Sequence, residues 1–258
     1  MTQKTVAFFG ASTGVGLSAL RHTLAAGHKC IALCRTPSKL TAVLPPASNP
    51  NLRVVEGNAH DVAAVSRCLR KDDGSGALVD AVVSTIGGKP TLSWKLLDDP
   101  EVCQRGMQAL LGALAALRSG ADASGPPAAG RPRVVVCSTT GLSRAGRDVP
   151  LALAPLYHVL LRTPHADKRA MEDALAASGE RFTVVRPSLL VDGATDRPVR
   201  VGVEDPRAPG GPRRESAAVG YTISREDAGR WIAENIILLP DEGAAEDKYL
   251  DKVATITY

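Results

Sequence analysis

Residues 5–16 read Thr-Val-Ala-Phe-Phe-Gly-Ala-Ser-Thr-Gly-Val-Gly, an apolar run that ends in a glycine-rich segment. The run predicts a buried strand over residues 5–9, and the periodic residues 17–24 that follow predict a helix. Glycine lets the backbone turn tightly and approach a ligand, and a helix N-terminus offers free N–H groups and a partial positive charge. This strand, turn and helix therefore predict a pyrophosphate-binding turn at the start of a dinucleotide-binding fold.

The second predicted strand narrows the choice of cofactor. It covers residues 29–34 and runs into Arg-Thr-Pro-Ser-Lys at residues 35–39. In this fold an acid near that position bonds the ribose 2′-hydroxyl of NAD, whereas an arginine accommodates the 2′-phosphate of NADP. The stretch contains no acid, and Arg35, Ser38 and Lys39 supply two cations and a hydroxyl. We therefore expect NADP(H), although basic residues also occur in ordinary loops of this type.

The composition favours an α/β protein of a reducing compartment. Of 258 residues, 44% are hydrophobic and only 3% aromatic, so small aliphatic side chains must build the core, as in helices packed on a parallel sheet. Five cysteines without a CxxC pair indicate buried thiols in a reducing compartment. A net charge of +4 does not favour a nucleic-acid partner, and no apolar run is long enough to span a membrane. Because the first strand begins at Thr5, we expect no targeting peptide and a cytoplasmic location.

Strand-like and helix-like runs alternate along the chain, which predicts a Rossmann-type, doubly wound parallel sheet. We expect one NAD(P)-binding domain over residues 1–258, in which residues 188–224 form a small C-terminal substrate-side lobe or lid. Inside that segment, the Pro-, Arg- and Gly-rich residues 197–214 are expected to be a solvated loop. Ligands bind outside the carboxyl ends of parallel strands, so the strand ends are the candidate site. These ends are residues 10–16, 35, 57–58, 84–88, 138–141 and 187–190.

In their order, several segments resemble the short-chain dehydrogenase/reductase superfamily, in particular its atypical NAD(P)H-binding branch of NmrA-like and biliverdin-reductase-like proteins. The resemblance covers essentially the whole chain. It is carried by the glycine turn at residues 10–16, Arg-Thr-Pro-Ser-Lys-Leu at 35–40, Glu-Gly-Asn-Ala-His-Asp at 56–61, His-Ala-Asp-Lys-Arg-Ala-Met-Glu at 165–172, Thr-Val-Val-Arg-Pro-Ser at 183–188 and Ile-Ser-Arg-Glu-Asp-Ala-Gly at 223–229.

The strand ends and the resemblance together give a set of expected cofactor contacts. Within it, the amide of Asn58 can bond an adenine edge, because it offers both a donor and an acceptor. No metal ligand is expected. The expected contacts are Gly10, Ser12, Thr13, Gly14, Val15, Gly16, Arg35, Ser38, Lys39, Asn58, Ala59, Ser84, Thr85, Ile86, Gly87, Lys168 and Pro187.

The Tyr-x-x-x-Lys catalytic pair of that superfamily is broken in this chain. Pro164 stands four residues before Lys168, and Leu161 stands four residues after Tyr157. Hydride transfer to a carbonyl leaves an alkoxide that needs a proton, and a lysine can lower a neighbouring pKa, bind the cofactor ribose or supply that proton itself. Lys168 is therefore the first catalytic candidate. Its helical spacing to Glu172 is also compatible with a simple surface ion pair.

Other polar residues near the same strand end are further catalytic candidates. The resemblance implies that Ser138 orients the substrate carbonyl, with Thr139 and Thr140 as alternatives, although such residues also cap strands. His165 and Tyr157 are candidate proton donors. His165 is equally compatible with a structural position at the start of a helix.

Three functions fit these observations. The first is an NADPH-dependent reductase that acts on a small carbonyl, quinone or enone, as a monomer or homodimer, with specialised metabolism as one setting for it. The second is a non-catalytic, NADP(H)-sensing regulatory protein, which the broken catalytic pair favours. The third is a redox-neutral isomerase, epimerase or cyclase that keeps the same fold.

Overall fold

The structure is a computed structural model that describes residues 2–88, 98–120, 126–153, 161–239 and 247–258. Strands and helices alternate through most of it. The strands are β1 Thr5–Phe9, β2 Lys29–Cys34, β3 Leu52–Glu56, β4 Ala81–Ser84, β5 Arg133–Cys137, β6 Phe182–Pro187, β7 Leu189–Val191, β8 Arg200–Asp205, β9 Arg213–Ser216, β10 Thr222–Ser224 and β11 Lys252–Thr257. The α-helices are α1 Gly14–Ala25, α2 Pro37–Thr41, α3 Val62–Leu69, α4 Val102–Ser119, α5 Arg162–Ala177 and α6 Arg225–Ile232, the last continued by a π-helical turn, Ala233–Ile237.

Nine strands form one sheet in the order β3-β2-β1-β4-β5-β6-β11-β8-β9. The first seven strands in this order pair in parallel, and β8 and β9 extend the sheet in antiparallel fashion. The order reverses at β1, which lies between β2 and β4, so the chain end of β1 faces the crevice where such folds bind ligands. The expected Rossmann-type sheet is therefore confirmed.

Helices cover both faces of the sheet and bury β1 completely. Ala7 and Phe9 face a core that includes α3, α4 and α5, whereas Val6 and Phe8 face a second core that includes α1 and α6. A strand buried on both faces must be apolar at every position, which is why residues 5–9 show no polar alternation. No helix of the described residues is long and apolar enough to cross a membrane.

The expectation of a solvated loop over residues 197–214 is wrong, because this segment contributes two strands to the main sheet. Arg200–Asp205 pairs with β11, and Arg213–Ser216 pairs with β8. The buried positions of β8 are Gly202 and Glu204, which are not apolar side chains. The sequence therefore lacks the buried apolar residues at every second position that usually mark a strand. A Cβ at Gly202 would lie 2.6 Å from the backbone nitrogen of Ala218, so only glycine fits there.

Helices α1 and α6 cross in direct contact. A Cβ at Gly229 would lie 2.4 Å from the Cβ of Ser18 and 2.5 Å from the carbonyl oxygen of Val15. The Ser18 hydroxyl donates a hydrogen bond to the carbonyl oxygen of Glu226 at 2.7 Å. The carboxylate of Glu226 lies 3.1 Å from Nε2 of His22. These contacts fix the first turn of α6 beside the first two turns of α1.

Adding one methyl group at this crossing is expected to destabilise the protein. Gly229→Ala should lower the free energy of unfolding by about 1–3 kcal/mol, because neither backbone can retreat without opening the core. The matched control is Gly112→Ala in α4, where the nearest atom to a new Cβ is 3.9 Å away. That change should raise stability by about 0.5–1 kcal/mol, the usual effect of removing glycine from a helix. Urea unfolding of both variants measures the difference, and equal effects would contradict the crossing described here.

Candidate cofactor and active site

The glycine turn after β1 folds back against the segment that follows β4. Gly10 has φ +86°, and a Cβ there would lie 2.9 Å from the carbonyl carbon and oxygen of Thr85. A Cβ at Gly16 would lie 2.3 Å from Thr85 Oγ1. The Thr85 hydroxyl donates to the carbonyl oxygen of Gly10 at 3.1 Å, and the Thr85 amide donates to the carbonyl oxygen of Phe9 at 2.8 Å. The absence of side chains at two glycines therefore brings two strand ends together.

The first turn of α1 is open to an anion. Thr13 is the N-cap residue, but its side chain makes no capping hydrogen bond. Gly14 follows with φ +59°, a conformation that L-residues rarely adopt. Ser12 precedes the cap and donates to Cys34 Sγ at 3.5 Å, which ties the turn to the end of β2. Val15 is buried in the core. Uncapped amides at a helix start suit a phosphate group.

The end of β2 carries the polar cluster expected for the 2′-phosphate. Arg35, Ser38 and Lys39 are all exposed. No hydrogen bond or ion pair joins their side chains to any residue within the described ranges. Two cations and a hydroxyl that have no partner in the described part of the chain, next to the glycine turn, are an arrangement that a phosphate can fill.

The ends of β3, β4 and β6 make the floor of the same crevice. Asn58 is exposed, and its Oδ1 accepts a hydrogen bond from the His60 amide at 3.2 Å, so it shapes its own turn. Ile86 packs on the core through its side chain, as does Ala59. Ser84 and Pro187 are buried, and Gly87 is exposed. These predicted contacts thus follow the carboxyl ends of β3, β4 and β6, and Asn58 and Gly87 are the exposed ones among them.

At the end of β5, a buried hydroxyl lies without a hydrogen-bond partner. Ser138 is 3% exposed, and its Oγ bonds no described residue. Its amide donates to the carbonyl oxygen of Val185 at 2.7 Å, and the Thr140 amide donates to that of Pro187 at 3.1 Å, so the backbone here is fixed. Thr139 lies between them and is half-buried. A buried polar atom without a partner is unusual and calls for an explanation.

Lys168 reaches the same point from α5. Its Nζ donates to the carbonyl oxygen of Cys137 at 3.0 Å, which puts the ammonium beside Ser138. Glu172, expected on the same helical face, is buried and bonds Arg186 Nε at 3.1 Å and Nη2 at 2.5 Å. The surface ion pair between Lys168 and Glu172 considered from the spacing is therefore replaced by a buried pair with β6.

The two candidate proton donors differ in what the structure shows. His165 is buried in the first turn of α5. Tyr157 lies outside the described residues.

Thiol chemistry is disfavoured near Lys168, because burial raises the pKa of the Cys103 thiol to about 12 although the positive charge of Lys168 acts to lower it. Burial also raises the pKa of the Cys137 thiol.

Sequence reasoning missed the carboxylate that anchors α5. Both oxygens of Asp167 accept backbone hydrogen bonds at the start of α4, from the amides of Cys103 at 2.9 Å and Gln104 at 2.8 Å. These partners are more than 60 positions away in the chain, so no local pattern identifies them. The neighbour of Lys168 thus joins two helices on this face of the sheet.

A second missed group is a buried cluster centred on Arg186. Its guanidinium bonds Glu172 on α5 and lies 3.4 Å from the Glu204 carboxylate on β8. The Ser143 hydroxyl, in the loop after β5, donates to Glu204 at 2.6 Å. The cluster thereby links the helix of Lys168, the loop that follows Ser138 and the edge hairpin.

A third missed residue, Asp227, holds the start of α6. It is fully buried and accepts hydrogen bonds from the Thr195 amide and hydroxyl, both at 3.0 Å, from Ser224 Oγ at 2.8 Å and from the Tyr258 hydroxyl. Arg230 pairs with its other oxygen at 2.6 Å. Burial acts to raise the pKa of Asp227, but the bonds from Tyr258, Ser224 and Thr195 outweigh it and hold that pKa below its ordinary value.

Comparison with known proteins gives one family and two curated relatives. A family described as NAD(P)H-binding matches residues 10–237. The chain is 38% identical over 280 residues to the reductase pytE of Aspergillus terreus, which covers 100% of this chain and 99% of that protein. It is 33% identical over 286 residues to the oxidase pynE of Aspergillus niger, with coverage of 100% and 99%.

Solved structures show the same fold. A short-chain dehydrogenase/reductase from Veillonella parvula, in complex with NADP, superposes with a TM-score of 0.70 at 14% identity and covers 100% of this chain and 95% of that one. The anaerobillin reductase ChuY from Escherichia coli superposes with a TM-score of 0.62 at 17% identity, with coverage of 98% and 96%.

The stability that Asp227 provides should depend on pH. Because the folded-state pKa lies below the ordinary value of about 3.9, its contribution is present above that pH and is lost as pH falls through the folded-state pKa. Asp227→Asn should lower the free energy of unfolding at pH 7 by about 1–3 kcal/mol and should flatten its decline in acid. Urea unfolding from pH 7 down to about 2.5 measures both effects, and Asp173→Asn, an exposed carboxylate paired with Arg144, is the control. A decline as steep as that of the native protein would contradict this role.

Proposed function

The chain belongs to the NAD(P)H-binding family, and we propose that it is an NADPH-dependent reductase of a small organic carbonyl, quinone or enone. Membership confirms the resemblance drawn from the residues. The observation that carries the proposal is the buried Ser138 hydroxyl, without a partner among the described residues and beside the Lys168 ammonium. The names of the two curated relatives, a reductase and an oxidase, support redox chemistry.

The choice of NADPH rests on the end of β2. Arg35 and Lys39 offer two exposed cations that have no ion-pair partner in the described part of the chain, and Ser38 adds a hydroxyl. A 2′-phosphate carries about two negative charges and accepts several hydrogen bonds, so it gains most from such a cluster. The glycine turn at residues 10–16 fits the pyrophosphate, because its first-turn amides have no side-chain cap.

The remaining expected contacts are assigned to the walls of the cofactor site because they lie at strand ends. They are Asn58, Ala59, Ser84, Thr85, Ile86, Gly87 and Pro187.

Exposed apolar side chains support residues 188–224 as the substrate-side lobe: Leu189 and Val191 on β7, and Tyr221 before β10, are 43%, 36% and 58% exposed. Apolar groups at this edge suit an organic substrate.

The reaction follows from this arrangement. Bound NADPH supplies the hydride. The Ser138 hydroxyl donates a hydrogen bond to the substrate carbonyl oxygen and holds it at the end of β5. The Lys168 ammonium, fixed by the Cys137 carbonyl oxygen at 3.0 Å, stabilises the negative charge that develops on that oxygen. The oxygen then takes its proton from the Lys168 ammonium, directly or through the Ser138 hydroxyl, which replaces the tyrosine that Pro164 displaces.

A regulatory NADP(H) sensor is the second candidate, because Pro164 removes the usual tyrosine while the cofactor turn is retained. It would bind NADPH tightly without turnover. The two functions are therefore separated by measuring NADPH binding and NADPH oxidation on the same preparation.

Reversing the charge at Arg35 should change the cofactor preference. Arg35→Asp should weaken NADPH binding by about 10- to 100-fold and leave NADH binding nearly unchanged or improved, because a carboxylate repels the 2′-phosphate and can bond a 2′-hydroxyl. Fluorescence titration with each cofactor gives the two dissociation constants. Lys29→Asp, an exposed lysine at the opposite end of the same strand, is the control. An unchanged ratio of the two constants would rule out the assignment of Arg35.

Removing the charge at Lys168 should reduce turnover more than cofactor binding. Lys168→Met is expected to lower kcat by about 100-fold or more and to weaken NADPH binding by less than tenfold. Ser138→Ala should also lower kcat. NADPH oxidation with a panel of ketones, quinones and enones measures these effects. Arg169→Met, on the next and exposed position of α5, is the control. Turnover by Lys168→Met at the native rate would refute this chemistry.

A further inference from the structure

An ion pair lies across the start of α1, where the cofactor pyrophosphate is expected. Arg225 is the first residue of α6, and its Cδ lies 3.3 Å from the position that a Cβ on Gly14 would occupy. Its Nη1 bonds the carboxylate of Asp192, in the segment after β7, at 2.7 Å. Any side chain at position 14 would crowd Arg225, so the second glycine of the turn also makes room for this arginine.

The two charges border a cavity of about 370 Å³ between the starts of α1 and α6. Its wall along α1 includes Thr13, Gly14 and Arg21. Arg21 is exposed and forms no ion pair with any residue in the described segments. Side chains on a helix lean towards its N-terminus, so Arg21 covers the turn of Leu17 and Ser18, which also line the cavity. The cavity wall thus holds two arginines, Arg21 and Arg225, and two carboxylates, Asp192 and Glu226, beside a helix start that favours an anion.

The position of Arg225 is not adjustable, because α6 is locked to α1. Gly229 packs on Ser18 without room for a Cβ, and the Ser18 hydroxyl bonds the Glu226 carbonyl oxygen. The start of α6 is also held by the Asp227 amide, which donates a hydrogen bond to Ser224 Oγ at 2.9 Å. The backbone of Arg225 is thus fixed, and its side chain lies against Gly14 of the glycine turn.

The ion pair between Arg225 and Asp192 is weak. The Asp192 side chain is 92% exposed and that of Arg225 is 40% exposed, and an ion pair in such surroundings contributes little free energy. A pyrophosphate brings more charge, more acceptor atoms and the support of the helix amides.

We propose that Arg225 is a cofactor-binding residue that exchanges Asp192 for the pyrophosphate of the nicotinamide dinucleotide. Asp192 holds the guanidinium over the glycine turn while the site lacks an anion, and it competes with the cofactor when the site fills. The two residues therefore have opposite effects: Arg225 strengthens cofactor binding and Asp192 weakens it. The proposal needs the pyrophosphate alone, so it does not depend on the 2′-phosphate assignment.

Four variants test the exchange by fluorescence titration with NADPH and NADH, without any substrate. Arg225→Gln should weaken binding of both cofactors by about tenfold, and Arg225→Lys should recover part of the loss. Asp192→Asn should tighten binding of both by about two- to fivefold, because the guanidinium no longer has a competing partner. In the double variant Arg225→Gln/Asp192→Asn, most of that gain should disappear. Arg144→Gln, which breaks an exposed ion pair of similar length, should change neither constant and serves as the control.

A shorter ligand locates the contact. Adenosine 2′-monophosphate has no pyrophosphate, so Arg225→Gln should leave its affinity unchanged, whereas Arg35→Asp should weaken it. Unchanged NADPH and NADH affinities in Arg225→Gln, with thermal unfolding like that of the native protein, would overturn the proposal. Weaker cofactor binding in Asp192→Asn would overturn the exchange. Failure of Arg35→Asp alone would count against the NADPH preference and leave the role of Arg225 intact.

Discussion

The site depends on how closely α1 approaches the elements around it. Gly16 lets α1 pack against Thr85, at the end of β4, and Gly229 lets α6 pack against Ser18 on the other side of α1. A methyl group at either glycine would overlap atoms of the neighbouring element. Because the contacts are this close, the start of α1, the end of β4 and the start of α6 meet at one place. The cofactor turn therefore has fixed walls before any ligand arrives.

Buried charges fix the other wall. Arg186 is almost fully buried, and its guanidinium pairs with Glu172 on α5 and contacts Glu204 on β8. Removing one partner of such a cluster leaves a charge in a medium of low polarity, which is costly. Asp167 holds the same helix to α4. The helix that carries Lys168 is thus held at two points, which fixes the place of Lys168 relative to the end of β5.

Strand prediction succeeded where burial alone determined the pattern. The bounds of β1 and β2 agree with the predicted strands at residues 5–9 and 29–34, because strands inside a parallel sheet are short apolar runs that end at turn residues. Strands β8 and β9 were missed for a physical reason. The buried positions of β8 are Gly202, which leaves room for a neighbouring backbone, and Glu204, which contacts Arg186, and neither residue type marks a strand. No position of β9 is buried, so that strand has no apolar run.

The sequence by itself determined the fold, the glycine turn and the cation cluster at Arg35, because period, apolar runs and turn residues act over a few neighbouring positions. Only the tertiary structure decided which polar groups are satisfied and which are left for a ligand. It leaves Ser138 Oγ without a partner in the described residues, joins Lys168 to a carbonyl oxygen 31 positions away and lays Arg225 over Gly14. The physical reason is that a hydrogen bond or an ion pair depends on the distance between two groups in space. Groups far apart in the sequence come within that distance only when the sheet and its helices have packed together.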